Sequence, residues 1–191
     1  MHAVSEAAPL VGDATEAGDP FMPAWLRPAE RAMHLVNRAM LGLGMLALLA
    51  SAIVLTSSVV TRYFMHASTD WQDETAVFCL VGATFLTGAF VQSLRGHIGI
   101  EAVSGLLPAW ANRVRQAGVD LVCLAFCAFF AWKSWTLFHE AWADGQTTSS
   151  SWAPPLWIPY VLMSSGMTLF TVQLLLQTIA SVNALVKGGA R

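Results

Sequence analysis

Residues 40–60 read MLGLGMLALLASAIVLTSSVV, and from Met40 to Val60 there is no charge and no proline. An α-helix needs about 20 mostly apolar residues to cross the ~30 Å hydrocarbon core of a bilayer, and this run supplies them. Outward from it, three further stretches reach or approach the same length: Thr75–Leu94, Leu121–Phe138 and Leu156–Ala180. Over the whole 191-residue chain, 55% of residues are hydrophobic and 12% charged. An ordinary soluble domain carries about a quarter charged. The fold class is therefore all-α integral membrane, a four-transmembrane-helix bundle.

Basic residues set the expected orientation. Arg27, Arg31 and Arg38 precede the first span; Arg95, Arg113 and Arg115 lie between the second and third; Lys187 and Arg191 follow the fourth. The other two connections hold only Arg62, while Lys133 falls inside the third span. Basic residues mark the cytoplasmic side, so both termini and the middle connection are expected there. Trp71, Trp135, Trp142, Trp152 and Trp157 gather near the outer connections, and Trp25 and Trp110 near the inner boundary, as aromatic belts require.

The flanking segments complete the expected organisation. Residues 1–20 are rich in Ala, Gly and acidic residues and read as a disordered cytoplasmic tail. Residues 21–38 mix Met, Trp and Leu with three arginines, which suits an interfacial helix. The membrane domain covers 39–182, and 183–191 form a second cytoplasmic tail. In the middle connection Ile100, Val103, Leu107 and Trp110 recur at helical spacing, giving an in-plane amphipathic segment or an extension of the third span.

Polar residues inside the spans are few. Gly42, Gly44, Ala47 and Ser51, then Gly82, Ala83, Thr84 and Gly88, then Cys123, Cys127 and Ala131 offer small-residue packing faces. Three buried, odd-numbered cysteines argue against a disulfide framework. Asp73, Glu74 and Asp120 open helices, where the dipole favours carboxylates. Gln173 and Gln177 lie one turn apart. Lys133 lies one to two turns from the outer interface, and Glu140, seven residues on, is beyond direct contact on a straight helix. No ionisable residue falls near the centre of a span by this count, so a self-sufficient transporter is poorly supported. A free-standing exporter would have only Glu74 to work with. Ser149–Ser151 with His139 and Asp144 lacks a nucleophile elbow, so no enzyme is expected. Net charge is −2, giving no case for nucleic acid. Haem or quinone held in the membrane anchor of a redox complex is the alternative, but His34, His66, His97 and His139 all fall outside the spans.

One series of short motifs says more: Val60-Thr61-Arg62-Tyr63; Trp71-Gln72-Asp73-Glu74; Gly82-Ala83; Arg95-Gly96-His97-Ile98-Gly99-Ile100-Glu101; Leu107-Pro108; Ile158-Pro159. Their order across about Ala39 to Val182 resembles the small permease subunit of tripartite ATP-independent periplasmic (TRAP) transporters, the DctQ family. The acidic residue after the His-Ile segment is Glu101 where many relatives carry Asp, and the loop after Tyr63 lacks the Asn-Pro character common there. The resemblance implies a multi-pass protein of the bacterial inner membrane, serving sodium-driven uptake of an organic acid. It implies a large DctM-like permease subunit that holds substrate and sodium, and a DctP-like periplasmic binding protein. This chain would have no cofactor of its own; it would brace the large subunit among membrane lipids and help dock the binding protein. On that basis Arg62 and Tyr63 are expected to anchor the first span, with Arg62 pairing Asp70, Asp73 or Glu74 or reaching lipid headgroups. Trp71 belongs to the same boundary. Arg95, His97 and Glu101 are expected to fix the second span to the inner surface, and Asp144 and Trp152 to meet the binding protein.

Overall fold

A computed structural model describes residues 24–66, 68–94 and 109–188. After one 3-10 turn, Ala24–Leu26, come α1 (Arg27–Met65), α2 (Asp70–Ser93), α3 (Ala109–Ala143) and α4 (Trp157–Gly188). Each contains a stretch long and apolar enough to cross a membrane. Among the described residues, extended pairing is limited to one isolated bridge, Thr147 with Pro155.

Local chemistry marks the helix ends. A proline in the first turn of α1 has φ already set for a helix and lacks only an N–H that would go unused. α1 stops where His66 turns left-handed, at φ 51°. The Thr69 carbonyl then accepts from the Gln72 and Asp73 amides, and Asp70 and Asp73 meet the positive end of α2.

The helices run past the expected spans. α1 has 39 residues, about 58 Å at the α-helical rise. The described part of the surface segment expected over 21–38 leads without interruption into the first span. α3 begins at Ala109, directly after Pro108, so residues 109–120 extend the third span. The rest of the middle connection, with Arg95, His97 and Glu101, lies outside the described residues.

Packing follows the order α1, α2, α4, α3, with α2 and α4 in the middle. α2 and α4 run parallel: Gly82 meets Leu162, Gly88 meets Phe170 and Gln92 meets Gln177. α1 and α3 run antiparallel to them. Residues 66, 68 and 69 between α1 and α2 and the connection 144–156 share one end of the bundle (the loop end). α1 starts and α4 finishes at the other (the terminal end).

Small and polar residues make the contacts. α1 buries Met33, Asn37, Gly44, Ser51 and Ser58. The last four are spaced by sevens, the period that keeps one face against a neighbour crossing at about 20°. A side chain on Gly44 would collide with Thr87 Cγ2, and a Cβ on Gly166 would sit 2.5 Å from the Phe85 carbonyl oxygen. Backbones therefore approach closely at both crossings. Large apolar residues point outward instead: Leu46, Leu49 and Ile53 on α1 and Phe126 and Phe129 on α3 are all more than half exposed. A soluble protein would reverse this arrangement, because lipid tails solvate leucine as well as a core does.

Candidate functional site

Polar side chains in an apolar helix need partners, and most here find them locally. Thr84, Thr87, Ser134, Ser164, Thr168 and Thr178 each donate to the carbonyl four residues earlier. Such hydroxyls are cheap to bury; of these six, Thr168 also accepts from another helix, taking the Trp135 indole N–H of α3 at 3.0 Å. The informative polar contacts are those that cross from one helix to another; apart from Ser51 to the Ala76 carbonyl and Trp135 to Thr168 inside the bundle, those described next lie toward its two ends.

At the terminal end α4 reaches each of the other helices. Asn37 of α1 donates to Gln173 Oε1 at 3.0 Å. Gln92 of α2 donates to Gln177 Oε1 at 2.8 Å, and Gln177 Nε2 returns a bond to the Gln92 carbonyl at 2.8 Å. Ser181 donates to Asp120 Oδ2 of α3 at 2.5 Å, and Gln116 to Asp120 Oδ1 at 3.1 Å. An apolar cluster of Leu26, Met33, Ala89, Leu176 and Ala180 packs beside them. Gln173 and Gln177, a single pair by spacing, thus serve two different helices.

The loop end gathers most of the expected site residues. Arg62 Nη2 lies 2.8 Å from Asp73 Oδ2 and donates to Thr69 Oγ1 at 2.7 Å, while Ser58 donates to Asp73 Oδ1 at 2.9 Å. Of the three acids offered to Arg62 by sequence, Asp73 takes the ion pair, and the contact fastens α1 to α2. Ser151 donates to Asp70 Oδ2 at 2.6 Å, tying the 144–156 connection to the start of α2. Glu74 keeps one buried carboxylate oxygen without a hydrogen-bond partner.

Tyr63 is 76% exposed and meets Phe64 edge to face; Trp71 and Trp152 are each 50% exposed. Asp144 is exposed and accepts from Gln146 at 3.3 Å. A ladder of rings, Trp135, Phe138, Trp142 and Trp157, joins the end of α3 to the start of α4. The loop end therefore combines an Arg62–Asp73 ion pair, braced by Thr69 and Ser58, with a rim of outward aromatic rings. Such a rim suits a headgroup layer or a protein surface.

Asn37, Ser58, Gln92 and Gln116 were missed by sequence reasoning, as was the donation of Ser181 to Asp120. The sevenfold spacing of Asn37, Gly44, Ser51 and Ser58 is the signal that could have found two of them. Of the expected small-residue faces, Gly44 and Ser51 are buried whereas a side chain on Gly42 would meet open space. Ala131 is buried, Cys127 half-buried and Cys123 exposed, both thiols, like that of Cys79, being free.

Comparison with known proteins follows this geometry. Residues 51–184 match the family model described as "Tripartite ATP-independent periplasmic transporters, DctQ component". The chain is 22% identical over 147 residues to the C4-dicarboxylate TRAP transporter small permease protein DctQ of Vibrio cholerae serotype O1, an alignment covering 66% of this chain and 63% of that protein. A 64-residue stretch is 38% identical to a glycerol kinase of Roseiflexus sp. (strain RS-1), covering 32% of this chain and 13% of the kinase. An overlap with an eighth of an enzyme carries no activity with it. No solved structure matches.

Proposed function

The chain belongs to the DctQ component family of tripartite ATP-independent periplasmic transporters, and we propose that it acts as the small membrane subunit that braces a large permease subunit. The observation that carries this reading is how its polar groups are used. Hydrogen bonds tie α1, α2 and α3 each to α4, while α1 and α3 present broad apolar flanks. A brace needs a rigid interior and adhesive sides, and that is what this arrangement offers. Substrate and sodium belong, on this reading, to the large subunit, and the cargo is an organic acid delivered by a periplasmic binding protein.

Both termini face the cytoplasm, as the basic residues favour, so the loop end faces the periplasm. There Asp144 and Trp152 stand on a connection held in place by Asp70 and Ser151, suited to receive the binding protein. The direct test is reconstitution of the large subunit and binding protein in sodium-loaded gradients, with and without this chain. Uptake of labelled organic acid is expected only with it. Equal uptake in its absence would overturn the bracing role, and normal uptake with Asp144→Ala/Trp152→Ala would remove the loop from the docking surface.

A further inference from the structure

Lys133 is an awkwardly placed charge, exposed on an apolar face of α3. Trp135, two residues later on α3, donates its indole N–H to Thr168 of α4 at 3.0 Å. Thr168 lies close to the midpoint of the apolar span Trp157–Asn183. Because the two helices run antiparallel, Lys133 is level with the middle of α4 and lies little more than one turn to the loop side of the middle of the apolar stretch of α3, Val114–Ala143. The span-by-span count puts it one to two turns from the interface; the register of α3 against α4, fixed by Trp135–Thr168 and Asp120–Ser181, sets it deeper.

Its side chain is exposed, and it forms no ion pair with another described residue. Its ammonium sits 5.6 Å from the centre of the Trp132 ring. Val122, Phe126, Phe129 and Leu137 share its face of α3, and all are exposed. Snorkelling offers little relief. The nearest charge on the same face toward the loop end is Glu140, seven residues on, about 10 Å along the axis. Helical side chains also lean toward the N-terminus of their helix, away from Glu140. A cation at mid-depth on a lipid-facing stripe is costly, and such residues normally mark a function.

We propose that Lys133 is a docking residue: its ammonium pairs, at mid-depth, with a carboxylate on a transmembrane helix of the large permease subunit, which covers the Val122–Leu137 face of α3. This rests on the small-subunit reading above and adds to it which helix adheres and by what chemistry. A bare apolar face fixes neither depth nor rotation of a partner helix, whereas one ion pair in hydrocarbon fixes both.

The test compares Lys133→Met, Lys133→Glu and Lys133→Arg, each purified alone and each used to capture the large subunit from co-expressing membranes. Alone, all three should be as monodisperse as the parent chain, since Lys133 supports no contact inside it beyond one ring. In capture, Met and Glu should lose at least tenfold of the large subunit, while Arg keeps most of it. Capture by Lys133→Met equal to the parent overturns the pairing and leaves the small-subunit reading standing. So does Lys133→Met that keeps its partner but sheds co-purifying anionic lipid, which would assign the charge to a headgroup. Collapse of Lys133→Met purified alone would make Lys133 a structural residue. Failure of the parent chain itself to capture any large partner would sink the small-subunit reading too.

Discussion

At the scale of single residues, the side chains that matter are those whose hydrogen bonds leave their own helix. Gln92 and Gln177 exchange two bonds in a buried, water-poor setting. Gln92→Met strips Gln177 Oε1 of its donor, and Gln177→Met leaves the Gln92 amide and backbone carbonyl without these partners; a buried polar group left unpaired costs about 1–3 kcal/mol. Gln92→Met and Gln177→Met should each destabilise the bundle by that order, and the double variant by clearly less than their sum. Reversible unfolding in mixed micelles, arranged as a double-mutant cycle, measures it. Additive losses would contradict the pairing. The Arg62–Asp73 pair behaves differently, because its side chains are 62% and 46% exposed. Arg62→Ala should cost less than about 1 kcal/mol, and less again at high salt; a larger, salt-insensitive loss would show the pair to be shielded.

At the scale of elements, the four helices were legible because run length in hydrocarbon is a strong constraint, whereas their ends were not. Hydropathy falls at Arg38, yet Arg27 to Arg38 is rich in Ala, Glu, Arg, Met and Leu, all good helix formers. The chain leaves the apolar layer there without leaving the helix. The contact faces were half legible. Gly42 and Gly44 look alike in sequence, but only Gly44 falls on the sevenfold stripe that meets α2. Gly44→Leu should therefore break the α1–α2 crossing and yield aggregated or poorly folded protein by size-exclusion chromatography, while Gly42→Leu remains monodisperse. Gly166→Ala should cost about 1–3 kcal/mol by overpacking against the Phe85 backbone. Equal behaviour of Gly42→Leu and Gly44→Leu would contradict the packing described. Cross-helix partners were illegible because hydrogen-bond pairing depends on the spatial order α1, α2, α4, α3, which no residue spacing states.

At the scale of the whole molecule, polar groups hold the interior and apolar groups face outward, so the bundle is finished within and adhesive without. That is the physical sense in which it suits a subunit. The expected topology makes a prediction of its own. A fluorescent protein fused after Arg191 should glow, and alkaline phosphatase inserted in the 144–156 connection should be active, because the proposed orientation puts the first in the cytoplasm and the second in the periplasm. The reverse pattern would invert the docking assignment. The site expectations divide by location: Arg62 and Asp73 meet, Trp71, Trp142 and Trp152 stand exposed at the loop end whereas Trp135 lies deeper, bonded to Thr168, and the 144–156 connection is anchored by a contact, Asp70–Ser151, between residues 81 positions apart. Lys133 gained its importance only when α3 was seen beside α4. The central claim is that this chain works as one part of a larger membrane transporter. Affinity purification from native membranes, followed by mass spectrometry and an absorbance spectrum, tests it most directly. The account predicts a much larger polytopic protein in fixed ratio and no Soret band. Recovery of the chain alone, or with a flavin or iron–sulfur subunit and haem absorbance, would contradict it.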